Sequence, residues 1–139
     1  MTAILTTETL GHREDREHKD PRTSRIIAAA LEVHRALGPG LLESAYEECL
    51  CHEFYLRGIE FERQLAFPIT FKGLRLDCGY RIDFLVEDTV VVELKAIEKL
   101  LPVHHAQLLT YMKVARKSVG LLMNFNVPLL TRGIVRKVL

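Results

Sequence analysis

Two charges inside an apolar run constrain this chain more than any other feature. In Val90-Val91-Val92-Glu93-Leu94-Lys95-Ala96 the β-branched residues predict a strand, and the nearly unbroken apolar character predicts a central, buried one. Alternate residues of a strand share a face, so Glu93 and Lys95 project together while Val92 and Leu94 face the other side. Unpaired charges in such a place are expensive. The preceding stretch, Tyr80-Arg81-Ile82-Asp83-Phe84-Leu85-Val86, reads as a neighbouring strand across a turn at Glu87-Asp88. Two readings account for the charges. Asp83 and Glu93 can supply the hard carboxylate oxygens that Mg²⁺ requires, with Lys95 acting on a metal-bound water or on phosphate charge. Alternatively, a buried Asp/Glu–Lys bridge specifies strand register. The spacing alone does not decide between them.

The first reading makes a geometric demand. Directly opposed residues of an antiparallel pair share a face, so bringing Asp83 opposite Glu93 requires paired residue numbers that sum to 176. Regular pairing then closes over an odd loop such as Glu87-Asp88-Thr89, or else contains a bulge. A plain two-residue turn puts Asp83 on the wrong face.

The rest of the chain frames this hairpin. Residues 1–22 are polar, lack periodicity and read as a mobile N-terminal arm; residues 23–139 read as one domain. Thr23 or Ser24 is expected to cap a helix over Arg25–Leu37, with a stripe of Ile26, Ile27, Ala30, Leu31, Val33, His34 and Leu37 that Gly38-Pro39-Gly40 ends. His34 on that apolar face predicts a satisfied core histidine. A second helix, Leu41–Arg57, is expected to bury Leu42, Ala45, Tyr46, Cys49, Leu50 and Phe54. Strands follow at Phe61–Phe71, Leu74–Val86 and Thr89–Ala96, with a Lys72-Gly73 turn between the first two. Pro102 opens a helix to Arg116 whose first turn is expected to place His104 and His105 towards solvent, with phosphate contact as the alternative. Strands at Val119–Phe125 and Gly133–Val138 complete the order. This is an α+β, mixed-sheet arrangement rather than a βαβ repeat.

Composition excludes several classes. The charged fraction of 27% is ordinary for a globular protein. Charges interrupt every apolar run before the roughly 20 residues a membrane helix needs. The charged stretch Gly11–Asp20 contains no signal-peptide core, so a cytoplasmic location is expected. Cys49, Cys51 and Cys78 contain no CxxC pair, and Cys49 and Cys51, two apart on a helix, cannot share a metal; all three are expected to be reduced, mostly buried thiols. The formal net charge of +1 hides a split, because residues 99–139 carry seven cations and no acid. That segment is either an electrostatic footprint for an anionic partner or a solvated surface.

Two helical patterns add weight. Gly40-Leu41-Leu42-Glu43-Ser44-Ala45-Tyr46 sets Glu43 and Tyr46 on one helical face, and Gln107 and Tyr111 stack four apart on the later helix. With Asp83…Glu93-Leu94-Lys95 and the strand Gly120–Phe125, these motifs closely resemble the GxxExxY family, a branch of the PD-(D/E)XK nuclease superfamily, from about Ile26 to Val138. Ile82 stands where well-studied members carry the Pro before the Asp. The resemblance implies a restriction-endonuclease-like core, a central mixed sheet flanked by helices. It further implies that Glu43, Asp83, Glu93 and the backbone carbonyl of Leu94 bind Mg²⁺ or Mn²⁺, that Lys95 is the catalytic lysine, and that Gln107 and Tyr111 orient the site and the nucleic-acid backbone. Arg116 and Lys117, in the acid-free third, are candidate phosphate contacts. Bland readings stand beside these: Glu43 suits a helix N-terminus through the dipole, and both tyrosines suit core or rim packing.

The expected function is divalent-metal-dependent hydrolysis of phosphodiester bonds in nucleic acid, DNA before RNA, with a homodimer as one way to span a duplex. The alternative is a binding module that retains the fold for nucleic acid or a protein partner. The modest net charge leans towards that alternative; the complete acidic set leans towards the nuclease.

Overall fold

A computed structural model describes residues 20–139. The expected arm of residues 1–22 lies almost wholly outside the described residues, but its last three do not belong to it. Asp20 is the N-cap of helix α1 (Pro21–Leu37), accepting from the Arg22 N–H at 2.9 Å, and Pro21 occupies the first helical position, where no N–H is needed. The helix therefore starts four residues before the expected Arg25, and neither Thr23 nor Ser24 is its cap. The Asp-Pro pair is the signal. Gly38, at φ 68°, ends the helix.

Helix α2 (Glu43–Leu56) follows, then strands β1 (Phe61–Phe71), β2 (Leu74–Val86) and β3 (Val90–Lys95), helix α3 (Pro102–Ala115), β4 (Val119–Asn124), a 3-10 turn at Leu130–Arg132 and β5 (Ile134–Val138). The strands form one five-stranded sheet in the order β1-β2-β3-β4-β5. Only β3 and β4 run parallel, because α3 is the crossover between them. The sheet is therefore mixed, as expected. Helices α1 and α2 cover one face, packing on Phe84, Val86, Val90, Val92, Leu94, Leu121 and Met123. Helix α3 covers the other through Leu108 and Met112, which meet Val91 and Leu122. Gly120 lets α3 come this close, since a Cβ there would lie 2.5 Å from the Met112 sulfur.

Some packing details differ from expectation. The buried face of α2 is Tyr46, Glu47, Leu50 and Phe54; Leu42 is 78% exposed because it is the N-cap residue rather than part of the helix. Cys49 is exposed and Cys51 half-buried, so the expectation of mostly buried thiols fails for Cys49; both are free. The Cys78 side chain lies outside the described residues. His34 is buried and bonded through Nε2 to the Val127 carbonyl at 2.8 Å, a satisfied core histidine. His104 and His105 are half-buried rather than solvent-facing. The reason at His104 is a cap: its Nδ1 accepts from the Leu101 N–H at 2.8 Å, filling a role no cap side chain plays.

Candidate active site

The β2–β3 ladder pairs Val86 with Val90, Leu85 with Val91 and Phe84 with Val92. Every pair sums to 176, and the hairpin closes over Glu87-Asp88-Thr89, the odd loop that the geometric demand named. Glu87 and Asp88 both take left-handed backbone angles, φ 51° and 53°, to make the turn. Asp83 and Glu93 are next in this register. There the ladder gives way to side chains. The Asp83 N–H donates to Glu93 Oε2 at 2.8 Å, and the Leu94 N–H donates to Asp83 Oδ2 at 2.8 Å. Two backbone donors that would otherwise bond across the strands are satisfied by the two carboxylates. The sheet forks at these residues, and the acids sit in the fork.

Other elements converge on it. Glu43 stands in the first turn of α2, on the rim. The loop before it is tied down by Tyr46, whose buried hydroxyl donates to the Gly38 carbonyl at 2.6 Å and accepts from the Leu41 N–H at 3.2 Å. Its ring stacks on Phe125 at 4.7 Å. The Gly40-x-x-Glu43-x-x-Tyr46 spacing thus has a mechanical meaning: the tyrosine fixes the loop that delivers the glutamate. Lys95 is half-buried beside the fork. The segment following it is clamped by buried Asn124, which accepts from the Ile97 N–H at 3.1 Å and donates to the Ile97 carbonyl at 2.9 Å.

Burial and mutual repulsion set the electrostatics. Burial, then the Asp83 charge, pushes the Glu93 carboxyl up to about 9, although the Asp83 N–H and the Lys95 ammonium oppose this. Burial also raises Asp83, with the Glu47 charge adding to it, against hydrogen bonds from Leu94 and Gln64. Glu43 is raised by partial desolvation and by Asp83. Lys95 pulls all three down. The four groups therefore feel one another as a single cluster.

Glu47 and Gln64 belong beside this cluster, and sequence reasoning missed both. Glu47 is only 8% exposed and lies one turn after Glu43, a spacing that could have flagged it. It accepts from Gln64 Nε2 and from Arg63 Nε, each at 2.7 Å. Gln64 Nε2 also donates to Asp83 Oδ1 at 3.2 Å.

The remaining expected residues are divided between two places. Gln107 donates to the Tyr111 hydroxyl at 3.1 Å, and the Tyr111 ring meets Tyr80 edge-on at 5.9 Å. Burial raises the Tyr111 phenol, and so do the Glu93 and Asp83 charges, so this pair borders the fork. Arg116 and Lys117 do not. Arg116 is the left-handed C-cap of α3, and Lys117 pairs at 3.0 Å with Asp88 in the closed turn of the hairpin.

The model of the PD-(D/E)XK nuclease superfamily matches residues 20–137. This chain is a PD-(D/E)XK superfamily protein. No curated protein and no solved structure matches it significantly. Members of the PD-(D/E)XK nuclease superfamily generally use divalent metals, and the donor set here suits one: crowded carboxylate oxygens are hard ligands, and their raised protonation is what a nearby cation would relieve. The carboxylates are not gathered into a finished cage, however. Among the described residues, no group of three or more His, Cys, Asp or Glu is disposed to hold a metal ion.

Proposed function

We propose that this chain is a nuclease of the GxxExxY branch that hydrolyses phosphodiester bonds in nucleic acid, DNA before RNA. The observation that carries this reading is the fork, where Glu43, Asp83, Glu93 and Lys95 meet as one electrostatic cluster in a protein of nuclease lineage. Glu43, Asp83, Glu93 and the Leu94 carbonyl would hold Mg²⁺ or Mn²⁺, which when bound polarises a phosphate and lowers the pKa of water. The Lys95 ammonium, half-buried beside the acids, would stabilise negative charge developing on a phosphate oxygen or orient the attacking water. Gln107 orients the Tyr111 hydroxyl at the rim, where the phenol can meet the nucleic-acid backbone. Arg116 and Lys117 would meet only a strand that runs on along α3, roughly 15 Å beyond Gln107 at 1.5 Å per residue. A homodimer suits a duplex substrate, since each strand then finds a site. The free thiols of Cys49 and Cys51 suit a reducing compartment such as the cytoplasm. Among the described residues, no helix is long and apolar enough to cross a membrane.

The unfinished cage favours a second reading, a module that binds nucleic acid or protein without cutting. Calorimetric titration of Mn²⁺ separates them, run beside cleavage assays on labelled single- and double-stranded DNA and RNA. Wild type is expected to bind the ion and cut. Lys95→Ala keeps the three carboxylates and is expected to bind it yet cut poorly, by roughly 100-fold or more. Asp83→Asn is expected to lose both. Mn²⁺ binding with no cleavage of any substrate would give the binding-module reading the better claim.

A further inference from the structure

Gln64 has a backbone that residues inside a strand seldom take. Five described residues other than glycine have positive φ. Lys72, Glu87 and Asp88 sit in turns and Arg116 caps a helix, all places where a left-handed residue does useful work. Gln64, at φ 52°, lies inside strand β1. Left-handed backbone is costly for a side chain of this kind and persists only where the surroundings enforce it.

No inserted residue explains the irregularity. Arg63 pairs with Phe84 and Leu65 with Ile82, in one continuous register, and only Gln64 and Asp83 between them are skipped. Gln64 and Asp83 turn over together, since Phe61 and Phe84 pack under α1 and α2 whereas Leu65 and Ile82 pack under α3. The consequence is visible one layer up. Successive side chains of a strand point to opposite faces, yet Arg63 and Gln64 both bond to Glu47. The same turn directs the Gln64 amide to Asp83 Oδ1 and leaves the Gln64 carbonyl to accept from Arg81 Nη1 at 3.3 Å.

We infer that Gln64 is a positioning residue of the site: its left-handed backbone is held so that one amide can fix the Asp83 carboxylate against Glu47. The Asp83 carboxylate then has both oxygens engaged, Oδ1 by Gln64 and Oδ2 by the Leu94 N–H, and its rotation is stopped while lone pairs remain for a further ligand. Glu47 anchors the amide from α2, one turn from Glu43. One chain of bonds thereby registers α2, β1, β2 and β3 to one another at the fork. Partners of this kind orient ligating groups, and removing one weakens metal affinity by about 10- to 100-fold.

This inference rests on the metal-binding nuclease reading, and the experiment keeps the two apart. Gln64→Gly removes the amide and relieves the strain together. It is expected to melt no earlier than wild type, and to bind Mn²⁺ about ten-fold more weakly by calorimetry. A residue that merely braced the sheet would move the melt and leave the affinity alone. Wild-type affinity in Gln64→Gly, beside lost affinity in Asp83→Asn, overturns the inference and spares the nuclease reading. Unchanged affinity in both variants overturns both. Should Gln64→Gly melt early, Glu47→Ala frees the amide without touching the β1 backbone. The same ten-fold loss is expected there, and wild-type affinity in that variant overturns the inference.

Discussion

Carboxylates at two places in this fold are handled in opposite ways. At the corner where α1 begins, Asp20 accepts from the Arg22 side chain and backbone and also pairs with Arg136 of β5. Its carboxyl is held down at about 2, chiefly by the Arg22 hydrogen bond. At the fork, Glu93 is pushed up to about 9 by burial and by Asp83. The corner surrounds an acid with cations and backbone donors, and so fastens a helix to a sheet. The fork crowds acids together under a single lysine. Acids held ionised stabilise a fold, and acids forced towards protonation destabilise it. The contrast separates a carboxylate held ionised from carboxylates held towards protonation.

The largest expected effect tests the fork. A carboxyl whose folded pKa is raised above its unfolded value of 4.5 binds a proton that the unfolded chain has released. The folded state therefore loses ground as pH rises from 4.5, until the group ionises near 9. By pH 7 the accumulated cost is roughly 3 kcal/mol at about 1.4 kcal/mol per unit. Glu93→Gln keeps an acceptor for the Asp83 N–H and removes the titration. Urea unfolding of the metal-free protein is expected to show the variant more stable than wild type at pH 7 and nearly equal to it near pH 4. Glu43 and Asp83, also raised, leave a smaller slope in the variant. A variant less stable than wild type at pH 7 would mean that the Glu93–Lys95 pairing is a structural bridge, and the contrast with the corner would collapse.

How much of this was legible beforehand follows from the range of the forces involved. The hairpin was legible to the residue: alternation fixes which side chains share a face, and a sum of 176 then dictates the loop that the structure contains. Strand and helix positions were legible within a residue or two, because apolar periodicity sets them. Two classes of feature were not. The start of α1 lies outside the apolar periodicity: Asp20-Pro21 closes a polar stretch, and only side-chain capping and a proline at the first helical position make it a beginning. Gln64 was missed because nothing local marks it, and Glu47 because only its spacing of one turn from Glu43 does. A buried glutamate on a helix looks like any polar surface residue until a strand brings Arg63 and Gln64 against it, and a left-handed glutamine in a strand has no sequence signature. Placement of the acid-free third also depended on the fold, which carries Lys117 to the closed end of the hairpin, away from the acids.

The corner gives the next effect in size. Asp20→Ala removes an N-cap and the partner of Arg136 together, and is expected to destabilise the protein by about 1–2 kcal/mol. The pH dependence has the opposite sign to that of the fork. A carboxyl with a folded pKa of about 2 against 3.8 unfolded contributes stability that is present above 3.8 and lost as pH falls through about 2. Thermal melts are expected to show the gap between Asp20→Ala and wild type full at pH 7 and closing below pH 3.8. A gap that stayed constant into strong acid would assign the whole effect to packing and leave the charge of Asp20 irrelevant.

The smallest effect belongs to the closed end of the hairpin, where Lys117 meets Asp88 at 3.0 Å. The geometry resembles the corner, but the setting does not: the Asp88 side chain is 82% exposed, whereas those of Arg136 and Asp20 are 16% and 13% exposed. Water and salt screen an exposed pair, so Lys117→Ala is expected to cost less than about 1 kcal/mol, and the cost should vanish by about 0.5 M salt, where the Debye length has shrunk to a few ångströms. The Asp20→Ala effect should survive the same salt in large part, because a cap bond and a half-enclosed pair are screened less. Urea unfolding of the two variants at low and high salt measures both. If Lys117→Ala were instead to match Asp20→Ala in size and resist salt, the turn would be a second fastening point of the fold. Lys117 would then be committed to Asp88 and withdrawn from any role in holding a phosphate backbone. A small, salt-sensitive effect leaves its ammonium available to a nucleic-acid strand that runs along α3.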